Sequence, residues 1–157
     1  MRGPGAAVGR EAAISGDARF VGTWRLLSMS VRQPNGEVTR PMGDHPRGML
    51  MYTAGGHMSV QVMHGDRRLF GPSGRGGTVE EAAEAFRTYI AYCGTYRVDD
   101  AEGAVYHEPE CHGFPNGVGV PLKRYFTFVG DRLLLSGDRP PRPDAADHPA
   151  LVWQRVE

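Results

Sequence analysis

Tight-turn signals recur along this chain at intervals too short for a bundle of long helices. Glycine and proline supply 22 and 12 of its 157 residues, and from Phe20 onward they separate short runs rich in β-branched and aromatic residues. Strands are predicted over residues 23–32, 37–40, 48–53, 57–63, 96–99, 104–108, 122–129, 132–136 and 151–156. Asn35-Gly36 is a hairpin signal, because both residues tolerate positive φ. Ala54-Gly55-Gly56 and Gly130-Asp131 mark two further hairpins.

One segment breaks this pattern. Val79, Ala82, Ala83, Phe86, Tyr89, Ile90 and Cys93 recur at three- and four-residue spacing, while Glu80, Glu81, Glu84 and Arg87 take the other face. Thr78 and Glu81 form a capping box, and Gly94 supplies a stop, so an amphipathic helix is predicted over 79–93. Without crossover helices between the strands, a parallel sheet is excluded, leaving an all-β antiparallel barrel or sandwich with one inserted helix. Residues 65–77 hold five glycines and a proline and read as a mobile loop, the expected gate of the fold. Residues 1–19 are rich in Gly and Ala and are expected to be a disordered tail, leaving 20–157 as a single domain.

Charge removes two classes of partner. Eighteen Lys and Arg balance eighteen Asp and Glu, so no overall field draws in nucleic acid or an anionic membrane. No signal-like apolar run and no long apolar stretch occurs, and a cytoplasmic location is expected. Cys93 and Cys111 make no C-x-x-C arrangement; two buried thiols are favoured, and a single disulfide between them stays open. No H-x-H or H-E-x-x-H spacing marks a metal site, and no phosphate loop, dinucleotide fingerprint or nucleophile elbow is present, so no metal or cofactor is expected.

An ordered series of segments resembles the bacterial and fungal lipocalin-like domain family. It comprises Gly22-Thr23-Trp24-Arg25-Leu26, Gly48-Met49-Leu50-Met51-Tyr52-Thr53, Gly56-His57-Met58-Ser59-Val60-Gln61, Tyr89-Ile90-Ala91-Tyr92-Cys93-Gly94-Thr95-Tyr96, Phe114-Pro115-Asn116, Arg124 and Trp153-Gln154-Arg155. The resemblance implies a lipocalin-like antiparallel β-barrel of about eight to nine strands, whose interior holds one small ligand. It also implies that Trp24 plugs the barrel base with Arg155 packed across it, a stabilising pair. The segment Tyr106-His107-Glu108-Pro109-Glu110-Cys111-His112 departs from the family pattern. Relatives in this family either bind small molecules or act on polyketide-type substrates in natural-product pathways, so the resemblance narrows the ligand more than the reaction.

Strand alternation nominates the residues that carry chemistry. Arg124, Phe126 and Phe128 share one face of the run 122–129. If that face is the lumen, Arg124 is a buried cation able to hold a carboxylate, enolate or carbonyl oxygen; otherwise it is a mouth arginine paired to an acid. His107 shares a face with Val105 and can point inward as a general acid or base, or serve as a satisfied structural histidine. Tyr52, Tyr92 and Tyr96 offer phenols to a ligand carbonyl. Ser59 and Gln61 form a polar strip beside Tyr52, facing either ligand or water. Met51 and Phe126 are taken as apolar ligand contacts. Asn116 is either a turn residue or a ligand contact at the mouth.

Together these place Arg124, His107, Tyr96 and Tyr52 as catalytic candidates, and Tyr92, Ser59, Gln61, Met51, Phe126 and Asn116 as substrate contacts. The leading expectation is a cofactor-free tailoring enzyme of secondary metabolism that cyclises, isomerises or dehydrates a hydrophobic, oxygen-bearing, polyketide-like molecule. Holding a flexible substrate in a reactive shape needs no strong motif. A non-catalytic carrier using the same lumen is the competing expectation. A third is an interaction module docking through the exposed edge of an incompletely closed barrel, and a homodimer is compatible with the sequence.

Overall fold

The computed structural model describes residues 16–72, 76–143 and 149–157. Eight antiparallel strands close into a barrel. They are β1 (Gly22–Met29), β4 (Arg47–Tyr52), β5 (His57–Met63), β6 (Tyr89–Asp99), β7 (Ala104–His112), β8 (Leu122–Val129), β9 (Arg132–Ser136) and β10 (Leu151–Arg155). Consecutive barrel strands are neighbours, and β10 returns to pair with β1 through Trp24 opposite Arg155 and Leu26 opposite Trp153. Closure leaves no free edge, so docking through an open barrel edge is corrected.

Three boundaries differ most from the sequence expectation, the simplest being β7, which continues past the predicted 104–108 to His112. The first run, 23–32, splits at Ser30, whose backbone N–H donates to Ala150 O and whose hydroxyl accepts from Ala150 N–H. The chain then leaves the barrel as β2 (Val31–Arg32), which pairs only with β3 (Val38–Thr39) across the turn ending at Gly36. The helix α1 (Val79–Arg87) begins with the predicted capping box, Thr78 with Glu81, but stops at Arg87. Residues 89–93 are the first part of β6, where Ile90, Tyr92 and Tyr96 alternate inward. Gly94 does not end a helix. It sits at a register shift between β6 and β7, where a Cβ would stand 2.0 Å from the Glu108 carbonyl oxygen. Only glycine permits so close a backbone approach.

Of the tail expected over 1–19, residues 1–15 lie outside the described residues, while residues 16–19 rest on the barrel. Gly16 N–H donates to Ala54 O, and the Arg19 guanidinium pairs with Asp17 and Asp100. Of the expected gate over 65–77, residues 73–75 lie outside the described residues. The part preceding them runs beside α1, with Gly71 N–H donating to Glu81.

The core is graded along the barrel axis. At one end Phe20, Trp24, Tyr52, Tyr96, Phe126 and Phe128 pack together, with Phe20 edge to face against Phe126 at 5.0 Å and Phe128 at 5.1 Å between ring centres. Such pairs add about 0.5–1.5 kcal/mol each beyond the area they bury. The Trp24 indole donates to Phe20 O, and the Arg155 guanidinium lies 4.1 Å from the Trp24 ring while donating to Val21 O and Arg19 O. This seals the base. Toward the opposite end the inward side chains shrink to Val60, Val62, Ile90 and Leu151, and space opens between them.

Candidate functional site

A cavity of about 210 Å³ occupies that end of the barrel. Met29, Val31, Val60, Val62, Ile90 and Leu151 make its apolar wall, and Gly137 leaves room beside the Arg124 guanidinium. Among the described residues, its polar side chains are Tyr92 and Arg124. The volume lies below the roughly 300–1,000 Å³ typical of pockets for drug-sized molecules, which limits an occupant to about one or two rings. Grooves of comparable size lie outside the lumen, one of them between α1 and the segment holding Arg67, Arg68 and Phe70.

Beneath the cavity, Tyr52, His107 and Tyr92 form a hydrogen-bonded chain. The Tyr52 hydroxyl lies 2.6 Å from His107 Nε2, and the Tyr92 hydroxyl lies 2.9 Å from His107 Nδ1. His107 is 1% exposed and Tyr52 2% exposed. Burial, reinforced by the Arg124 charge, lowers the His107 pKa to about 3, so its ring is neutral at ordinary pH. Burial raises the Tyr52 phenol well above its usual value. It raises Tyr92 as well, and the neighbouring Arg124 charge partly opposes that rise. All three groups are therefore neutral beside a guanidinium.

Arg124 anchors itself by donating from Nη1 to Lys123 O at 2.9 Å. Among the described residues it forms no salt bridge, which leaves part of its fork available to the cavity. A half-buried guanidinium without a carboxylate favours an oxygen acceptor from outside the chain. The Tyr92 ring is held from its other side by His112, stacked with centroids 5.2 Å apart.

The structure brings together only part of the predicted set. Arg124 and Tyr92 line the cavity; His107 and Tyr52 stand directly behind Tyr92. Tyr96 is inside the barrel but its hydroxyl donates to Thr53 O at 3.2 Å, and its ring packs on Tyr52 at the base, away from the cavity wall. Phe126 is likewise a base residue, edge-on to Phe20. Met51 faces outward and is 36% exposed, because its neighbour Tyr52 faces inward and strand parity allows only one of them the lumen. Ser59 and Gln61 share that outer surface, bonded to each other with Gln61 Nε2 donating to Ser59 Oγ, while Met58, Val60 and Val62 take the inner positions. Asn116 is exposed in a single-turn 3-10 helix, Pro115–Gly117, and keeps the turn role. Cys93 and Cys111 stand opposite each other as free thiols on β6 and β7, but they are not two buried thiols: Cys93 is half-buried and Cys111 is exposed.

Several wall residues escaped sequence reasoning. Val60, Val62, Ile90 and Leu151 are ordinary core types, and only the inward alternation of β5 could have marked the first two.

The lipocalin-like domain family matches residues 21–156, which covers the whole barrel. The chain belongs to that family. Among curated proteins, the 4'-hydroxy-3'-methoxypropiophenone carrier protein ppsC of Aspergillus oryzae is 38% identical over 90 residues, spanning 53% of this chain and 81% of the relative. Within the family, this lipocalin-like chain combines the aromatic base described above with a cavity whose polar wall is Tyr92 and Arg124. No helix among its described residues is long and apolar enough to cross a membrane.

Proposed function

We propose that this lipocalin-like protein is a small-molecule carrier. Its ligand is an apolar compound of one or two rings, bearing an oxygen that accepts hydrogen bonds. The observation that carries the reading is the cavity itself, an aliphatic chamber of about 210 Å³ with Tyr92 and Arg124 as its polar contacts. An apolar body removed from water supplies affinity, at about 25 cal/mol per Å² buried, and the two polar groups orient it. The name of the fungal relative, a carrier of an aryl ketone, supports the same class of ligand.

A second reading, a cofactor-free cyclase, isomerase or dehydratase acting on a polyketide-like substrate, draws support from Arg124, which is suited to stabilise an enolate or other oxyanion. The environment of His107 counts against it as a direct proton acceptor. Both ring nitrogens are engaged by tyrosines, and His107 is not part of the cavity wall. Calorimetric titration with 4'-hydroxy-3'-methoxypropiophenone, followed by recovery and mass analysis of the compound, tests both. Saturable binding with the compound recovered intact supports the carrier, conversion supports the enzyme, and absence of binding removes this ligand class.

A further inference from the structure

We infer that the Tyr52–His107–Tyr92 chain has a fixed proton direction that turns Tyr92 into a hydrogen-bond donor toward the cavity, so that with Arg124 it forms a two-donor clamp selecting ligand oxygens without protons of their own. The inference rests on the ligand-binding reading above and specifies the chemistry of the ligand's polar end.

The direction follows from counting protons. A neutral imidazole has one N–H donor and one bare nitrogen acceptor. Tyr52 is buried and, among the described residues, its hydroxyl meets only His107 Nε2. Were Tyr52 to accept from an Nε2–H, its own proton would be stranded in the core, a costly arrangement. When Tyr52 donates to a bare Nε2, both atoms are satisfied and the imidazole proton must sit on Nδ1. That N–H then donates to the Tyr92 oxygen, 2.9 Å away.

The Tyr92 oxygen is thereby approached by donors alone. His107 Nδ1–H reaches it from behind, and the Arg124 guanidinium, a group without acceptor atoms, lies on the cavity side. The Tyr92 proton has no acceptor among the described residues; its side chain borders the outer groove beside Ser59, Gln61 and His112 as well as the cavity, and the cavity is the space it shares with its hydroxyl's neighbour Arg124. The chain is therefore complete only when an outside oxygen accepts from Tyr92, with Arg124 as second donor. His107 is a positioning residue: it sets which way the Tyr92 proton points and does not itself touch the cavity.

A ketone, ester or carboxylate oxygen fits two donors and brings no proton that needs a home. An alcohol of the same shape brings one, and the aliphatic walls give it no side-chain acceptor. One unmatched polar hydrogen corresponds to about tenfold or more in affinity.

The test has two independent arms, both on the full chain. In the first, long-range proton–nitrogen correlation NMR on the ligand-free, nitrogen-15-labelled protein reads the His107 ring. A protonated Nδ1 with a bare Nε2, unchanged between pH 6 and pH 8, is expected; a protonated Nε2 overturns the proposed direction. In the second, calorimetry compares 4'-hydroxy-3'-methoxypropiophenone, the alcohol made by reducing its ketone, and 4-hydroxy-3-methoxybenzoic acid. The ketone or the acid should bind at least about tenfold more tightly than the alcohol. Whichever of the two is tighter tells a neutral carbonyl from a carboxylate. In Tyr92→Phe, which keeps the ring, the preference should fall to about twofold or less. An alcohol that binds the unsubstituted protein as tightly as both the ketone and the acid overturns the clamp. If none of the three binds, the ligand reading fails, and the NMR arm still decides the proton direction.

Discussion

The Tyr52 hydroxyl lies 2.6 Å from His107 Nε2 and so ties β4 to β7, two strands that are not neighbours in the barrel. The bond crosses the interior between the aromatic base and the cavity. Removing the hydroxyl in Tyr52→Phe leaves a buried ring nitrogen unpaired, at a cost of about 1–3 kcal/mol. Urea unfolding should register that loss with an unchanged slope, since the fold and the surface exposed on unfolding stay the same. A cost near zero would mean that water or another group serves Nε2.

Acid should weaken the protein through His107. Its folded pKa is lowered from 6.5 to about 3 by burial and by Arg124, so between those values the unfolded chain binds the extra proton. Stability contributed by the neutral ring is complete above pH 6.5 and declines as pH falls toward 3. From pH 7 to pH 5 the decline is about 2 kcal/mol. Urea midpoints measured across that interval should fall in the parent protein and flatten in His107→Gln. A parallel fall in both would assign the acid sensitivity elsewhere.

Much of the barrel was legible because hairpin chemistry is local. Asn35-Gly36, Gly55-Gly56 and Gly130-Asp131 sit at the turns they announce, and Thr78 with Glu81 marks the start of α1. The end of α1 was not legible. Residues 89–93 satisfy helical spacing and strand alternation together, and the cross-strand partners that decide in favour of β6, such as Val60 opposite Tyr92, come from another part of the chain. The site divides in the same way. Alternation grouped Arg124 with Phe126 and Phe128 on one face and left open which face lines the lumen, whereas the pairing of His107 with Tyr52 joins residues 55 positions apart. Met51 and Tyr52 could not both have faced the lumen, and parity alone excluded one; the barrel interior shows which.

The base seal should depend on the shape of Arg155 as well as its charge. Its guanidinium lies over Trp24 while donating to two backbone carbonyls, Val21 O and Arg19 O. Arg155→Ala should cost about 2–3 kcal/mol in chemical denaturation. Arg155→Lys should recover less than half of it, because a single ammonium cannot serve the ring and both carbonyls. Full recovery by lysine would reduce the role of Arg155 to charge.

Cys93 and Cys111 are directly opposed on adjacent strands, a placement within reach of a disulfide. Mild oxidation with diamide should form the intramolecular bridge, seen as loss of both thiols to alkylation in a monomeric product. Ligand affinity should change by less than about twofold, since neither thiol belongs to the cavity wall. A large affinity change would connect this pair to the lumen.

Whether a small molecule enters the chamber beside Tyr92 and Arg124 is tested most directly by mapping where it binds. On methyl-labelled protein titrated with 4'-hydroxy-3'-methoxypropiophenone, the signals of Val60, Val62, Ile90 and Leu151 should shift saturably. Arg124→Ala should weaken that binding by about tenfold, the worth of one charged hydrogen bond of about 1.5 kcal/mol. Shifts confined to the outer face around Ser59 and Gln61, with the interior methyls unmoved, would contradict a ligand site inside the barrel.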